Sequence, residues 1–300
     1  MTIVENIISF CDRFRASPPP TVAVIRLQGP ITSGAKLGRG VSMENTAKII
    51  SKAFSIPRVS AVALQINSPG GSPVQSALVM KRIRDLATEK DIPVLAFAED
   101  VAASGGYMLA CAADEIYAHE SSIIGSIGVI FSGFGFVETI KKLGVERRLF
   151  TSGDNKSMLD PFEKAKKEDI DKIKGLQSQI HEDFKKLVRD RRGKRLKGPR
   201  AKIFSGDVFL GAEAVKHGLI DGLGDIRGTL FERFGDNVRL RLIEHEKPKV
   251  ASLLGLFGSF RSQGGIKVSD LDDYGSSITG LGDDLINALE TKFWWSKWGL

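Results

Sequence analysis

"VSAVALQINSPGGSPVQSALVMKRIRDLATEKDIPVLAFAED", residues 59–100, decides the fold. It opens on an apolar, β-branched run at 59–71 that glycine stops, and it closes on a second such run at 92–100. Between them, Val74, Ala77, Leu78, Ile83 and Leu86 recur at helical spacing over 73–88. Strand, helix and strand in that order make a β-α-β unit, which predicts an α/β fold with a mostly parallel sheet and right-handed crossovers. Upstream, "TVAVIRLQG" (21–29) reads as another strand of the same kind. Downstream, short strands are expected at 115–119, 127–131 and 145–150, followed by a long polar helix from about 163 to 191.

The chain has 300 residues, 42% of them hydrophobic, enough for one large α/β domain with appendages or for two modest ones. Its two cysteines, Cys11 and Cys111, form neither a disulfide framework nor a metal-ligand spacing. Cys111 lies seven residues after Ser104, a helical repeat, and is expected in the core. No apolar run reaches the roughly 18 residues of a membrane span. The first 20 residues lack the basic opening and long apolar stretch of a secretory signal. Ile3, Ile7, Phe10 and Phe14 instead mark one stripe of a short amphipathic arm that prolines 18–20 close off.

The net charge of +7 is local: "KKLVRDRRGKRLKGPRAK" (185–202) holds ten Lys or Arg and one Asp. A solvated helix end explains such a run, and an anionic membrane surface is the sharper reading. Nucleic acid is not expected, since no aromatic residues interleave with the charges.

Chemistry gathers at two glycine-lined turns. "INSPGG" ends a strand and leads into a helix, so its backbone N–H groups face outward with no side chain in front of them. "AASGGY" repeats the arrangement after "VLAFAED" and sets Ser104 before Gly105 and Gly106. Two such turns at neighbouring strand ends can form an oxyanion pocket beside a hydroxyl. Each also has a plain alternative, because glycine turns are common and a serine before a helix is more often an N-cap than a nucleophile. A nucleophilic serine needs a base. His119, His181, His217 and His245 have no assignable acidic partner, so a Ser-His-Asp triad is unsupported. Lys156, in the polar loop "FTSGDNKSMLDPF", is another candidate, but spacing does not single it out among the lysines.

"INSPGG", "AASGGY", "GSIGVI", "SGDNKSMLDPF" and "FSGDVFLGAEAVKHGLIDGLG", in that order between about residues 21 and 228, closely resemble the signal peptide peptidase A (protease IV) family in its short form. The resemblance implies the repeated β-β-α spiral core of the Clp protease/crotonase-like folds, here with a helical extension. It implies a serine endopeptidase with Ser104 as nucleophile, Lys156 as general base and Ser126 orienting the lysine. The oxyanion would be held by N–H groups of Gly70 or Gly71 with Gly105. A lysine ordinarily titrates near 10.4, so a lysine base must be desolvated. The charge-free run "SSIIGSIGVIFSGFGF" offers an apolar setting.

No metal, nucleotide or organic cofactor is implied. Substrates would be hydrophobic peptides such as cleaved signal peptides, bound as an added strand. The short members assemble, so a homo-oligomer of four to eight subunits is expected, with the site completed across subunits. The expected organisation is an N-terminal arm (1–20), a peptidase domain (21–245) and a C-terminal appendage (246–300). The appendage ends in "LETKFWWSKWGL", whose Phe293, Trp294, Trp295 and Trp298 suit a bilayer interface or a neighbouring subunit. Family members typically carry an N-terminal anchor, for which residues 1–20 offer no span. The expected location is therefore cytoplasmic, or peripheral at the inner membrane of a bacterium. A non-catalytic scaffold and a crotonase-like acyl-CoA enzyme are the rival readings, distinguished by the presence of both Ser104 and Lys156.

Overall fold

The computed structural model describes residues 18–33, 40–153 and 155–244. The amphipathic stripe at 3–14, Cys11, His245 and the aromatic C-terminal tail lie outside the described residues.

β1 (Thr21–Gln28) is followed by α1 (Met43–Phe54), whose N-cap Ser42 accepts the Asn45 N–H. β2 (Val59–Ser68) leads through the glycine turn into α2 (Pro73–Lys90), which has Ser72 as N-cap and proline in its first turn. β3 (Val94–Ala103) and the short α3 (Gly105–Ala110) come next, then β4 (Glu115–Ala118) and β5 (Ile123–Gly125). After α4 (Val137–Lys142) the chain forms the long α5 (Lys167–Arg192). It finishes with α6 (Arg200–Ile203), β6 (Val208–Leu210), α7 (Gly211–His217), β7 (Gly222–Leu223), α8 (Ile226–Phe234) and β8 (Arg239–Leu242).

The sheet runs β6-β5-β3-β2-β1-β8, and every pairing is parallel except β5 with β6. β3 is long enough to hold two partners on one edge: Leu95–Ala98 pair with β4, and Val101–Ala103 pair with β5. Its end, where the candidate nucleophile follows, is thus paired on both sides. One face of the sheet packs against α1, α2 and α3, with Phe184 and Val188 of α5 in the same core. On the other face, Val22, Val24, Ala61, Ala63, Leu95 and Phe97 lie under Leu230 of α8. Burial on both faces is why the central strands read as continuous apolar runs.

Two expected strands are absent. The sheet uses Ile123–Gly125 because β6 pairs there, and the chain leaves the ladder at Ser126, so 127–131 is not a strand. Residues 145–150 are exposed and have no neighbouring strand to pair with. They belong to an arm that leaves large apolar side chains in solvent, with Phe134 82% and Phe150 92% exposed, and α4 within it buries no residue.

The basic stretch 185–202 is partly internal. Arg191 donates to the carbonyls of Cys111 (2.8 Å) and Ala113 (2.9 Å), and Arg195 donates to that of Asp114 (2.7 Å). With Arg84, which donates to the Ala112 carbonyl, they satisfy the carbonyls of the turn that follows α3. Arg192, 2% exposed, makes a two-pronged pair with Asp221 (2.7 and 3.0 Å). Cys111 is fully buried beside this cluster, as its spacing predicts, and burial pushes its thiol up to about 12.

Burial alone would raise the Asp221 carboxyl. Hydrogen bonds and charge from Arg192, with the Ile116 N–H and Arg195, hold it below the usual aspartate range. That contribution to stability is present above the ordinary aspartate pKa and is lost as pH falls through the depressed folded value. Asp221→Leu leaves the buried guanidinium unpaired and is expected to lower unfolding free energy by about 3 kcal/mol in urea at pH 7. The gap to the parent should narrow on acidification; a variant within about 0.5 kcal/mol at pH 7 contradicts this account.

Candidate active site

Ser104 is the hinge between β3 and α3. Its backbone sits at φ +53° and ψ −121°, a region that L-residues rarely occupy and that carries strain of about 1–3 kcal/mol. The surroundings enforce it: the Ser104 N–H donates to the Gly125 carbonyl (2.8 Å), and its own carbonyl accepts the Met108 N–H (3.0 Å). The hydroxyl makes no capping bond to α3, although Ser104 occupies the N-cap position. Ser104 thus stands at the N-cap without the side-chain bond of a capping serine, and the geometry is that of a sharp strand-to-helix turn presenting a hydroxyl.

The glycines permit close approach of two backbones. A Cβ on Gly70 would lie 2.8 Å from both the Gly105 nitrogen and the Ser104 Cβ, and one on Gly105 would collide with Ser76 Oγ. The same point on Gly105 lies 3.4 Å from the Gly71 nitrogen, so the two turns meet as their sequences predict. Their amides are not equivalent. Gly70 N–H is taken by Ser68 Oγ (3.3 Å), whereas Gly71 N–H has no acceptor among the described residues. Gly105 opens α3, where no intrahelical acceptor exists for its N–H.

Ser126 belongs to the same neighbourhood, because the residue before it accepts the Ser104 amide. It too has positive φ (+51°), held by donation of its N–H to the Asp207 carbonyl (2.7 Å) and by the Gly128 N–H on its own carbonyl (2.9 Å). Its hydroxyl has no hydrogen-bond partner among the described residues.

Lys156 is not brought to them. It is exposed in the turn at 155–159, its N–H donates to the Gly153 carbonyl (3.2 Å), and its amine makes no hydrogen bond or ion pair with any described residue. The loop is nevertheless anchored. Arg147 Nε donates to Asp160 (2.9 Å), Leu159 N–H donates to Asp169 (3.2 Å), and Phe136 packs on Phe162. Lys156 therefore rides on the arm whose apolar side chains face solvent. Among the described histidines none bonds to Ser104: His119 accepts from Ser121 N–H, His217 meets Glu213, and His181 meets the Ile127 carbonyl.

One residue of the site is legible only in three dimensions. Asn67 fills the register shift between β2 and β3, accepting the Val101 N–H (3.2 Å) and donating to Asp100 (2.6 Å). Such a bulge re-aims the end of a strand, here the one that delivers Ser104. Among the described residues no three His, Cys, Asp or Glu side chains could hold a metal ion, and no helix is long and apolar enough to cross a membrane.

The sequence model of peptidase family S49 matches residues 87–233, which takes in Ser104, Ser126 and Lys156. A Synechocystis sp. protein whose name marks it as a candidate protease, slr0021, is 31% identical over 252 residues, covering 81% of this chain and 86% of its own. Protease 4 of Haemophilus influenzae is 30% identical over 231 residues, covering 73% of this chain and 36% of that protein. The Na(+)/H(+) antiporter NhaA of Brucella abortus is 47% identical over 291 residues, 96% of this chain. The chain spans 38% of the length of that relative.

The strain at Ser104 can be measured apart from any activity. Ser104→Gly removes the Cβ penalty while Ser104→Ala keeps it, so the glycine variant should be the more stable by about 1 kcal/mol in chemical denaturation. Equal stability of the two variants would contradict a strained serine.

Proposed function

The chain belongs to peptidase family S49, and on that footing we propose that it is a serine endopeptidase acting through Ser104 and Lys156. The observation that carries this reading is the Ser104 hydroxyl on a strained turn, making no capping bond, next to two amides, Gly71 N–H and Gly105 N–H, that have no acceptor among the described residues.

The neutral amine of Lys156 takes the Ser104 proton as Oγ attacks the scissile carbonyl carbon. The oxyanion is received by Gly71 N–H and Gly105 N–H, which need no reorganisation because neither has an acceptor among the described residues. Gly70 N–H, held by Ser68, is the poorer donor. The lysine ammonium then protonates the leaving amine, giving an acyl-enzyme and a free amine product. A water molecule, deprotonated by the same lysine, attacks the ester carbonyl, and the departing Ser104 oxygen takes the proton back. Ser126 orients the lysine with a neutral hydroxyl, which does not stabilise the ammonium as a carboxylate would.

Lys156 is exposed in a single chain, and it shares its arm with exposed Phe134, Leu143 and Phe150. Burying such side chains contributes about 1.5–3 kcal/mol each. A homo-oligomer of four to eight subunits would cover the arm, desolvate the amine and complete each site from two chains. Hydrophobic peptides, cleaved signal peptides among them, are the proposed substrates. The exposed Lys186, Lys194, Lys197 and Arg200 leave a basic outer face suited to peripheral contact with the anionic membranes that hold such peptides. Ion transport, named for the Brucella relative, is not proposed: the match covers 38% of that protein, and the site here is built for acyl transfer.

Ser104→Ala and Lys156→Ala should each lower hydrolysis of hydrophobic fluorogenic peptides by at least about 10³-fold. Mixed oligomers assembled from the two inactive variants should regain a measurable share, because some interfaces unite an intact serine with an intact lysine. Mixed assemblies that stay inactive, or full activity in a diluted monomer, would overturn the shared site. Activity that survives Lys156→Ala would overturn the base.

A further inference from the structure

α5 touches both halves of the site along one face. Gln177 Nε2 approaches the Val129 carbonyl (3.5 Å), His181 Nε2 lies 2.9 Å from the Ile127 carbonyl, and Phe184 and Val188 enter the core. One turn further, Arg191 reaches the carbonyls at the end of α3. Residues 177, 181, 184, 188 and 191 share a stripe at helical spacing. The same helix is tied at its start to the Lys156 loop by Asp169, which accepts the Leu159 N–H.

We infer that His181 is a positioning residue for Ser126, an assignment that rests on the role proposed for Ser126 above. A non-glycine residue stays at positive φ only when its neighbours over-determine the backbone. Around Ser126, the Gly125 carbonyl is fixed by Ser104, the Ser126 N–H by Asp207, and the Ser126 carbonyl by the Gly128 N–H. These bonds secure the turn as far as one edge of the Ile127–Gly128 peptide. The Ile127 carbonyl is held by His181 alone among the described residues. A carbonyl can only accept, so Nε2 carries a proton and donates. The Ile127 carbonyl shares its peptide plane with the Gly128 N–H, so His181 grips from one side the peptide that the Ser126 carbonyl holds from the other, and the Ile127 side chain is fully buried beside it. The His181 bond thus adds a second restraint on the 126–128 turn and steadies the backbone from which the Ser126 hydroxyl projects.

The test separates donation from packing. His181→Ala should lower kcat about 10-fold with KM within twofold, kcat being expressed per site titrated by a fluorophosphonate so that lost folding does not count. His181→Gln, whose amide can donate to the same carbonyl, should recover to within about threefold of the parent, whereas His181→Glu, of equal size but without a donor, should not. Ser126→Ala with His181→Ala should be no slower than Ser126→Ala alone, because the histidine acts through that hydroxyl.

Parent-like kcat in His181→Ala, equal kcat for the Gln and Glu variants, or additive losses in the double variant would each overturn the assignment. If Ser126→Ala itself keeps parent activity, the role of Ser126 fails and this assignment fails with it, a result distinct from the other three. Where His181→Ala does not fold, the Gln and Glu pair still decides.

Discussion

Holding one non-glycine residue, Ser104, at φ +53° is the constraint on which the site depends. A strain of about 1–3 kcal/mol persists only where several interactions oppose its release. β3 supplies the first, because its final residues are paired to β2 on one side and β5 on the other. The amide of Ser104 extends that ladder by one more bond, to Gly125. α3 supplies the second, since all six of its residues are buried and the helix cannot rotate to relax the turn.

The far end of α3 shows why a stretch with so many cations is built into a protein core. The turn that follows this six-residue helix sets the carbonyls of Cys111, Ala112, Ala113 and Asp114 in a largely buried place where each needs a donor. Arg84, Arg191 and Arg195 satisfy them, and Asp114 and Asp221 balance the charge. Tyr107 closes the other flank by donating to the Leu219 carbonyl (2.7 Å) from a fully buried position. The helix that follows Ser104 is thus clamped from behind by the helix that also reaches the Ser126 turn.

Much of this was legible in the sequence, and what was not has physical reasons. The strands at 21–28, 59–68 and 94–103 announce themselves because burial on both faces makes them continuous apolar runs, and the helix at 73–90 because burial on one face imposes a period. The two glycine turns were legible because only glycine lets two backbones approach so closely. Strands of two or three residues such as β5, β6 and β7 carry no period of their own; distant partners define them, which is why 127–131 and 145–150 were misread. Periodicity could not say that Arg191 points inward while Lys194 does not, nor that Asn67 fills a bulge. His181 reads as one polar residue on a polar helix until the Ile127 carbonyl is seen beside it. Lys156 was legible only through family resemblance, since spacing does not single it out and its amine meets no described residue.

The central claim, that Ser104 is an activated nucleophile, is tested most directly by reacting the 300-residue chain with a fluorophosphonate and locating the adduct by peptide mass spectrometry. The account predicts a single phosphonylated residue, Ser104, with labelling that is lost in Ser104→Ala and strongly slowed in Lys156→Ala. An adduct at another residue, or none while the same preparation cleaves peptides, would contradict it.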